Sequence, residues 1–117
     1  MDNTGDFYSL NVGSIPASRT KDNMDDKIRE TLVITQEECA EVIQEISKIF
    51  RFGIDNMHKS GVVHREKLNE EVGDLLCMID LLIKQGLLNQ QDLDLAKEKK
   101  IEKLKVFSKI FVDNNDK

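Results

Sequence analysis

Residues 36–49, QEECAEVIQEISKI, decide the fold of this 117-residue chain. Through and around them, apolar or small residues recur at alternating spacings of four and three positions, a pattern typical of one helix face. Asp25 or Asp26 can cap the start of this helix, and Gly53 suits its end. The stretch therefore predicts one long amphipathic helix, whose apolar stripe consists of Ile28, Leu32, Thr35, Cys39, Val42, Ile46 and Ile49.

The same alternation returns after a glycine-containing connection at residues 54–64. It predicts a second helix from about residue 65 to residue 85, with a second stripe of Leu68, Val72, Leu75, Ile79 and Leu82. A third, lysine-rich helix is expected from about residue 91 to residue 112. Because helices joined by short connections are usually antiparallel neighbours, we expect an all-α fold made of an antiparallel helical hairpin plus a third helix.

The ends of the chain differ from this helical part. Residues 1–24 show no helical or strand period and are expected to form a flexible N-terminal arm, and residues 113–117 a polar tail. Residues 25–112 then form one small domain with a thin core. We therefore expect a four-helix-bundle-like core that is completed by oligomerisation.

Composition excludes several classes of partner. With 22 acidic against 17 basic residues and a net charge of −5, the chain lacks the basic face that nucleic-acid binding needs. Its apolar stretches are far shorter than the roughly 18 residues of a membrane span, so no membrane partner is expected. Cys39 and Cys77 lie in apolar segments and are expected to be buried free thiols, which fits a cytoplasmic location.

Acidic residues follow the edges of the two apolar stripes. Glu38, Glu41 and Glu45 each precede a residue of the first stripe, and Glu71 and Asp74 stand in the same relation to the second. An antiparallel hairpin brings these edges together, and like charges so close repel by on the order of a few kcal/mol per pair. Oxygen-only ligands favour Mg²⁺, with Mn²⁺ as an alternative, and Mg²⁺ commonly completes its shell with substrate phosphates.

Single acidic pairs with this spacing are common on solvated helix surfaces. Two such pairs at the edges of helices that should be neighbours are less often accidental, so a metal site with phosphate chemistry is a hypothesis beside the commoner one, a solvated acidic surface. The two histidines, His58 and His64, lie in or beside the connection and are expected to be surface residues.

Two segments resemble the paired EExxE and ExxD motifs of the MazG-like all-α nucleoside triphosphate pyrophosphohydrolases. They are QEECAEVIQEISK at residues 36–48 and NEEVGDLL at residues 69–76. The resemblance covers roughly residues 28–105. It implies Mg²⁺-dependent hydrolysis of a (deoxy)nucleoside triphosphate to a monophosphate and pyrophosphate, in nucleotide-pool house-cleaning. It also implies a homodimer or a tetramer. The metal ligands that it implies are Glu38, Glu41, Glu71 and Asp74.

The resemblance also suggests accessory roles. Glu41 and Glu45 are the candidates for catalysis. Glu45, one turn further along, is expected to orient or deprotonate the attacking water, and the alternative is an ordinary exposed glutamate. Glu37 and Glu70 belong to the motifs but face away from the cluster by helical spacing, so they are expected on the surface. Substrate phosphates are expected at Lys48, Arg51, Lys100 and Lys103.

Two other functions remain open at this point. One is phosphoribosyl-ATP pyrophosphohydrolase activity, which shares the helical layout. The other is a non-catalytic helical interaction module, in which the acidic edges make contacts between helices or with a partner.

Overall fold

The computed structural model describes residues 24–57 and 61–113, and in those ranges it contains helices and no strand. The helices are α1 (Asp26–Phe52), α2 (His64–Lys84) and α3 (Gln90–Phe107). The predicted all-α class is therefore confirmed. The predicted arm up to residue 23, His58 and tail residues 114–117 lie outside the described residues.

Both ends of α1 follow the local chemistry that its sequence predicts. The side chain of Asp25 accepts a hydrogen bond from the Lys27 backbone N–H at 2.8 Å and so caps the start of the helix. Gly53 ends it with φ of 99°, a value that favours glycine, and its N–H donates to the Ile49 carbonyl at 2.8 Å.

Two side-chain contacts fix the register of the hairpin that α1 and α2 form. At one end the Gln85 side-chain amide donates to the Thr31 hydroxyl at 2.9 Å. At the other end the rings of Phe52 and His64 stack, with centroids 5.7 Å apart. The two contacts are separated by 21 residues along each helix, so the helices run antiparallel in a constant register. The predicted antiparallel hairpin is confirmed.

The face that α1 turns towards α2 is more polar than the apolar stripe predicts. Thr31 and Glu45 are its buried residues, and Glu38, midway between them, is half-buried. Cys39 and Ile46, both in the predicted stripe, are exposed instead. The Thr31 hydroxyl tolerates burial because it donates to the Lys27 carbonyl and accepts from Gln85.

The two cysteines correct a second expectation. Cys39 and Cys77 are free but exposed, whereas the sequence suggested buried thiols. The apolar composition of a segment indicates that some face is to be buried, but not that every residue of its stripe packs within the same chain.

The apolar core of the described part is thin, as its length predicts. Met78 and Leu82 are its buried apolar side chains, and α3 buries no residue. Large apolar side chains remain exposed on every helix, including Ile43, Phe50, Leu76, Leu95 and Phe107. Among the described residues, no helix combines the length and the apolar character needed to cross a membrane.

The third helix ends earlier than predicted, at Phe107 rather than near residue 112. Ser108 takes an extended conformation, and both its hydroxyl and its backbone N–H donate to the Leu104 carbonyl. The Ser108 hydroxyl also accepts from the Ile110 backbone N–H at 3.3 Å, an N–H that a continuing helix would direct to the Val106 carbonyl, so the following residues leave the helix.

The connection between α1 and α2 is closed by polar contacts. Met57 and Val63 form an isolated antiparallel bridge, and the guanidinium of Arg65 binds both carboxylate oxygens of Asp55 at 2.8 and 3.0 Å. These hydrogen bonds lower the pKa of Asp55 and raise that of Arg65. The connection thereby holds His64 at the first position of α2.

Candidate metal centre

Three carboxylates from two helices meet at the middle of the hairpin. Glu38 of α1 and Glu71 and Asp74 of α2 each offer one oxygen, and these oxygens all lie within 4.8 Å of one another. Glu38 and Glu71 are half-buried, and Asp74 is exposed. The antiparallel register therefore brings together three of the four ligands that the sequence predicted.

The fourth predicted ligand, Glu41, lies beside this group. Its carboxylate is exposed, and it is not one of the residues whose oxygens meet within 4.8 Å. Its charge nevertheless raises the pKa of both Glu38 and Glu71, which places it near both. Glu41 is thus at the rim of the cluster, one helical turn from Glu38.

The cluster is electrostatically strained. Removal from water raises the pKa of Glu38 above its ordinary value of 4.5, and the charges of Asp74, Glu41 and Glu37 raise it further. Removal from water, followed by the charge of Glu41, also raises the pKa of Glu71. A proton or a cation relieves such repulsion, and only a cation does so while every carboxylate stays ionised.

A basic residue that the sequence reasoning missed lies beside this cluster, next to Glu71. Lys67 places its ammonium group 3.9 Å from Glu71 and 3.7 Å from Glu70, and its charge lowers the pKa of Glu71. The signal was present in the sequence, because Lys67 precedes Glu71 by four positions on the same helix. Glu70 is exposed, as predicted, and so is Glu37.

A second polar group lies further along the hairpin, around Glu45. Glu45 is only 3% exposed, which is contrary to its reading as an ordinary exposed glutamate. Its Oε2 lies 3.3 Å from Lys48 Nζ, and its Oε1 lies 3.9 Å from His64 Nδ1. His64 is also 3% exposed, so its assignment to the surface was wrong.

The register of the hairpin explains why His64 is buried. His64 occupies the first position of α2, and the antiparallel hairpin puts that position against Glu45 and Phe52 of α1. A residue that lies next to a loop in the sequence is thereby buried between two helix ends. Its neighbours are remote in sequence, so the local pattern held no signal for them.

The predicted phosphate-binding residues fall into two groups. Lys48 and Arg51 lie on the last turns of α1, where Lys48 pairs with Glu45 and Arg51 sits 4.8 Å over the Phe52 ring. Lys100 and Lys103 lie on α3, and Lys100 lines a groove with Leu76 and Asp80 of α2. Leu76 and Asp80 are exposed, so within one chain this groove is away from the buried side of the hairpin.

Comparison of the chain with protein-family models gives no match, and comparisons with curated proteins and with solved structures give none either. The MazG-like resemblance therefore rests on the motif residues alone, and it stays a prediction.

Proposed function

We propose that this protein is a Mg²⁺-dependent nucleoside triphosphate pyrophosphohydrolase, as its motifs suggest. The observation that carries the proposal is the meeting of Glu38, Glu71 and Asp74 across two helices. These three carboxylates converge where burial and mutual repulsion raise the pKa of Glu38 and Glu71, which favours a bound cation.

The donor set fits a hard divalent cation. The three meeting side chains are carboxylates with no histidine or thiol among them, which suits Mg²⁺ or Mn²⁺ better than zinc. Glu38, Glu71 and Asp74 would hold the ion, and Glu41 at the rim would join them by a change of side-chain rotamer. A bound ion supplies neutralising charge for substrate phosphates and makes a water molecule more acidic.

The protein's own side chains would divide the remaining work. Lys48 and Arg51, beyond the carboxylates on α1, carry positive charge to hold the phosphate chain. Glu41 is exposed, and its charge acts on both Glu38 and Glu71, so a Glu41 carboxylate that stays off the ion is suited to accept a proton from the attacking water. Hydrolysis between the α- and β-phosphates would release a monophosphate and pyrophosphate.

Assembly is part of the proposal, because one chain leaves much apolar surface uncovered. Ile43 and Phe50 of α1 and Leu95 and Phe107 of α3 are all more than half exposed. Such side chains favour packing against another copy, as a homodimer or a tetramer with a four-helix-bundle core. Lys100 and Lys103 lie on α3, and Lys100 lines a groove on the exposed side of α2, so we propose that they reach substrate phosphates only across such an interface. The free thiols of Cys39 and Cys77 suit the cytoplasm as the place of reaction.

A substrate panel tests the activity. The chain is incubated with each ribo- and deoxyribonucleoside triphosphate, and with phosphoribosyl-ATP, in Mg²⁺ or in chelator, and pyrophosphate is measured. Mg²⁺-dependent release from a nucleoside triphosphate supports the proposal, and release from phosphoribosyl-ATP alone favours the related activity. Absence of release from every substrate favours a helical interaction module.

A further inference from the structure

Glu45 is a buried carboxylate that the proposed reaction does not yet use. Its side chain is 4% exposed, and its two oxygens face different partners: Oε2 faces Lys48 of its own helix, and Oε1 faces His64 of α2. At 3.9 Å the second contact is longer than a hydrogen bond, and within the described residues Oε1 has no hydrogen-bond partner. A buried carboxylate oxygen left in this state is costly, which points to a role other than stability.

Lys48 is placed differently from its partner. Its side chain is 33% exposed, so one side of the ammonium group contacts Glu45 while the rest remains accessible. An ammonium group has three donors, and Glu45 Oε2 occupies one. Among the residues that the structure describes, the others meet no acceptor, so they are available to an anion that approaches from outside.

The direction of the lysine side chain brings this charge towards the metal centre. Helical side chains lean towards the helix N-terminus, and Lys48 accordingly meets Glu45, three positions earlier. Glu45 follows Glu41 by four residues, or about 6 Å along the helix axis. The ammonium group is therefore held roughly one turn beyond Glu41 at the rim of the cluster, and about two turns beyond Glu38.

His64 completes the arrangement from the other helix. It is 3% exposed, stacks on Phe52, and its backbone N–H donates to the Asn56 carbonyl. These contacts fix the imidazole against Glu45. Glu45 is thereby confined between two helices, and its position sets that of Lys48.

We propose that Glu45 and His64 are positioning residues that hold Lys48 as a fixed cation for the phosphate chain of the substrate. This inference rests on the proposed function and refines the sequence expectation that Glu45 acts on the attacking water. Glu45 does not touch the substrate in this arrangement. By holding Lys48 in place beforehand, Glu45 reduces the conformational entropy that the lysine side chain would otherwise lose when the substrate binds.

The test uses inorganic tripolyphosphate as the probe, so that it does not depend on turnover. Binding is measured by calorimetry in saturating Mg²⁺ for the parent chain and for Glu45→Gln, Lys48→Met and His64→Gln. Each substitution is expected to weaken tripolyphosphate binding about tenfold. The double variant Glu45→Gln/Lys48→Met should lose no more tripolyphosphate affinity than Lys48→Met alone, because both substitutions remove the same interaction.

Two further measurements separate positioning from folding and from metal binding. Circular dichroism checks that each variant keeps its helices, and the Mg²⁺-induced shift in melting should equal that of the parent. Exposed Glu66→Gln, on the first turn of α2, is the matched control and should bind as the parent does. If the parent hydrolyses a nucleoside triphosphate, Glu45→Gln should have a higher KM than the parent and a similar kcat.

The outcomes are distinct. Unchanged tripolyphosphate binding by Lys48→Met overturns the role of Lys48. Unchanged binding by both Glu45→Gln and His64→Gln, with loss in Lys48→Met, overturns the positioning role. A parent chain without any Mg²⁺-induced shift contradicts the metal centre itself, and with it both proposals. If one variant fails to fold, the other two decide the question.

Discussion

Glu38 on α1 and Asp74 on α2 each place a carboxylate oxygen within 4.8 Å of the other, across the interface of the hairpin. Asp74 is the largest of the charged contributors that raise the pKa of Glu38. The pair is remote in sequence and is joined only by the antiparallel register. Its repulsion is the physical basis for expecting a cation at this site.

Metal binding should stabilise the folded chain. If 10 mM Mg²⁺ is about ten times the Kd, mass action adds about 1.4 kcal/mol to the free energy of unfolding. The parent should therefore melt several degrees higher with Mg²⁺, and Asp74→Asn should show little of this shift. Asp80→Asn, an exposed aspartate on the same helix, is the matched control and should keep it. Equal shifts in both variants would rule out Asp74 as a ligand.

The pH dependence has a definite sign. The pKa values of Glu38 and Glu71 are raised in the folded chain, so their contribution to stability is fully present below about 4.5 and is lost as pH rises through the folded values. Without metal, Glu71→Gln should therefore melt above the parent at pH 7 and close to it at pH 4. Thermal melts in chelator at both pH values measure this. A variant that melts below the parent at pH 7 would contradict it.

The contact between Thr31 and Gln85 should behave as a buried hydrogen bond. Thr31→Val leaves the part-buried Gln85 amide without its acceptor, which is expected to cost about 1–3 kcal/mol of unfolding free energy, towards the lower end of that range. Thr31→Val/Gln85→Leu replaces both partners by apolar groups and should recover most of the loss. Urea unfolding measures both, with exposed Gln91→Leu as control. A double variant less stable than Thr31→Val would disagree with this view.

Assembly should depend on the exposed apolar side chains. Sedimentation of the parent is expected to give a multiple of the 13.4 kDa chain mass, with a melting temperature that rises with concentration. Ile43→Asp, at a side chain 64% exposed in one chain, should shift the chain towards monomer. Glu30→Asp, at another exposed position of α1, is the control and should leave the oligomeric state unchanged. A parent that sediments as a monomer at all concentrations would refute the expectation.

The helices and their ends were predictable because their signals are local. Asp25 caps α1, Gly53 ends it, and the spacing of apolar residues identifies α1 and α2. The acidic edges also predicted the meeting of Glu38, Glu71 and Asp74, because helical spacing fixes which residues share a face.

The residues that pack against each helix face were not predictable in the same way. An apolar stripe shows that a face is to be buried but not against what, and so exposed Cys39 and Ile46 were expected inside. The burial of His64 depends on the register of two helices, which no local pattern specifies. Ser108 ends α3 through its own side chain, a competition that the apolar spacing of residues 104–111 concealed.

Release of pyrophosphate by matched pairs of variants tests the central claim most directly. Each pair removes one negative charge from neighbouring motif residues: Glu38→Gln is compared with Glu37→Gln, and Glu71→Gln with Glu70→Gln. With the best substrate and Mg²⁺, Glu38→Gln and Glu71→Gln are predicted to lose at least about a hundredfold in kcat/KM, or 2.7 kcal/mol of transition-state stabilisation. Glu37→Gln and Glu70→Gln, both exposed, should stay within about threefold of the parent. Equal activity within both pairs would contradict the assignment of the metal centre.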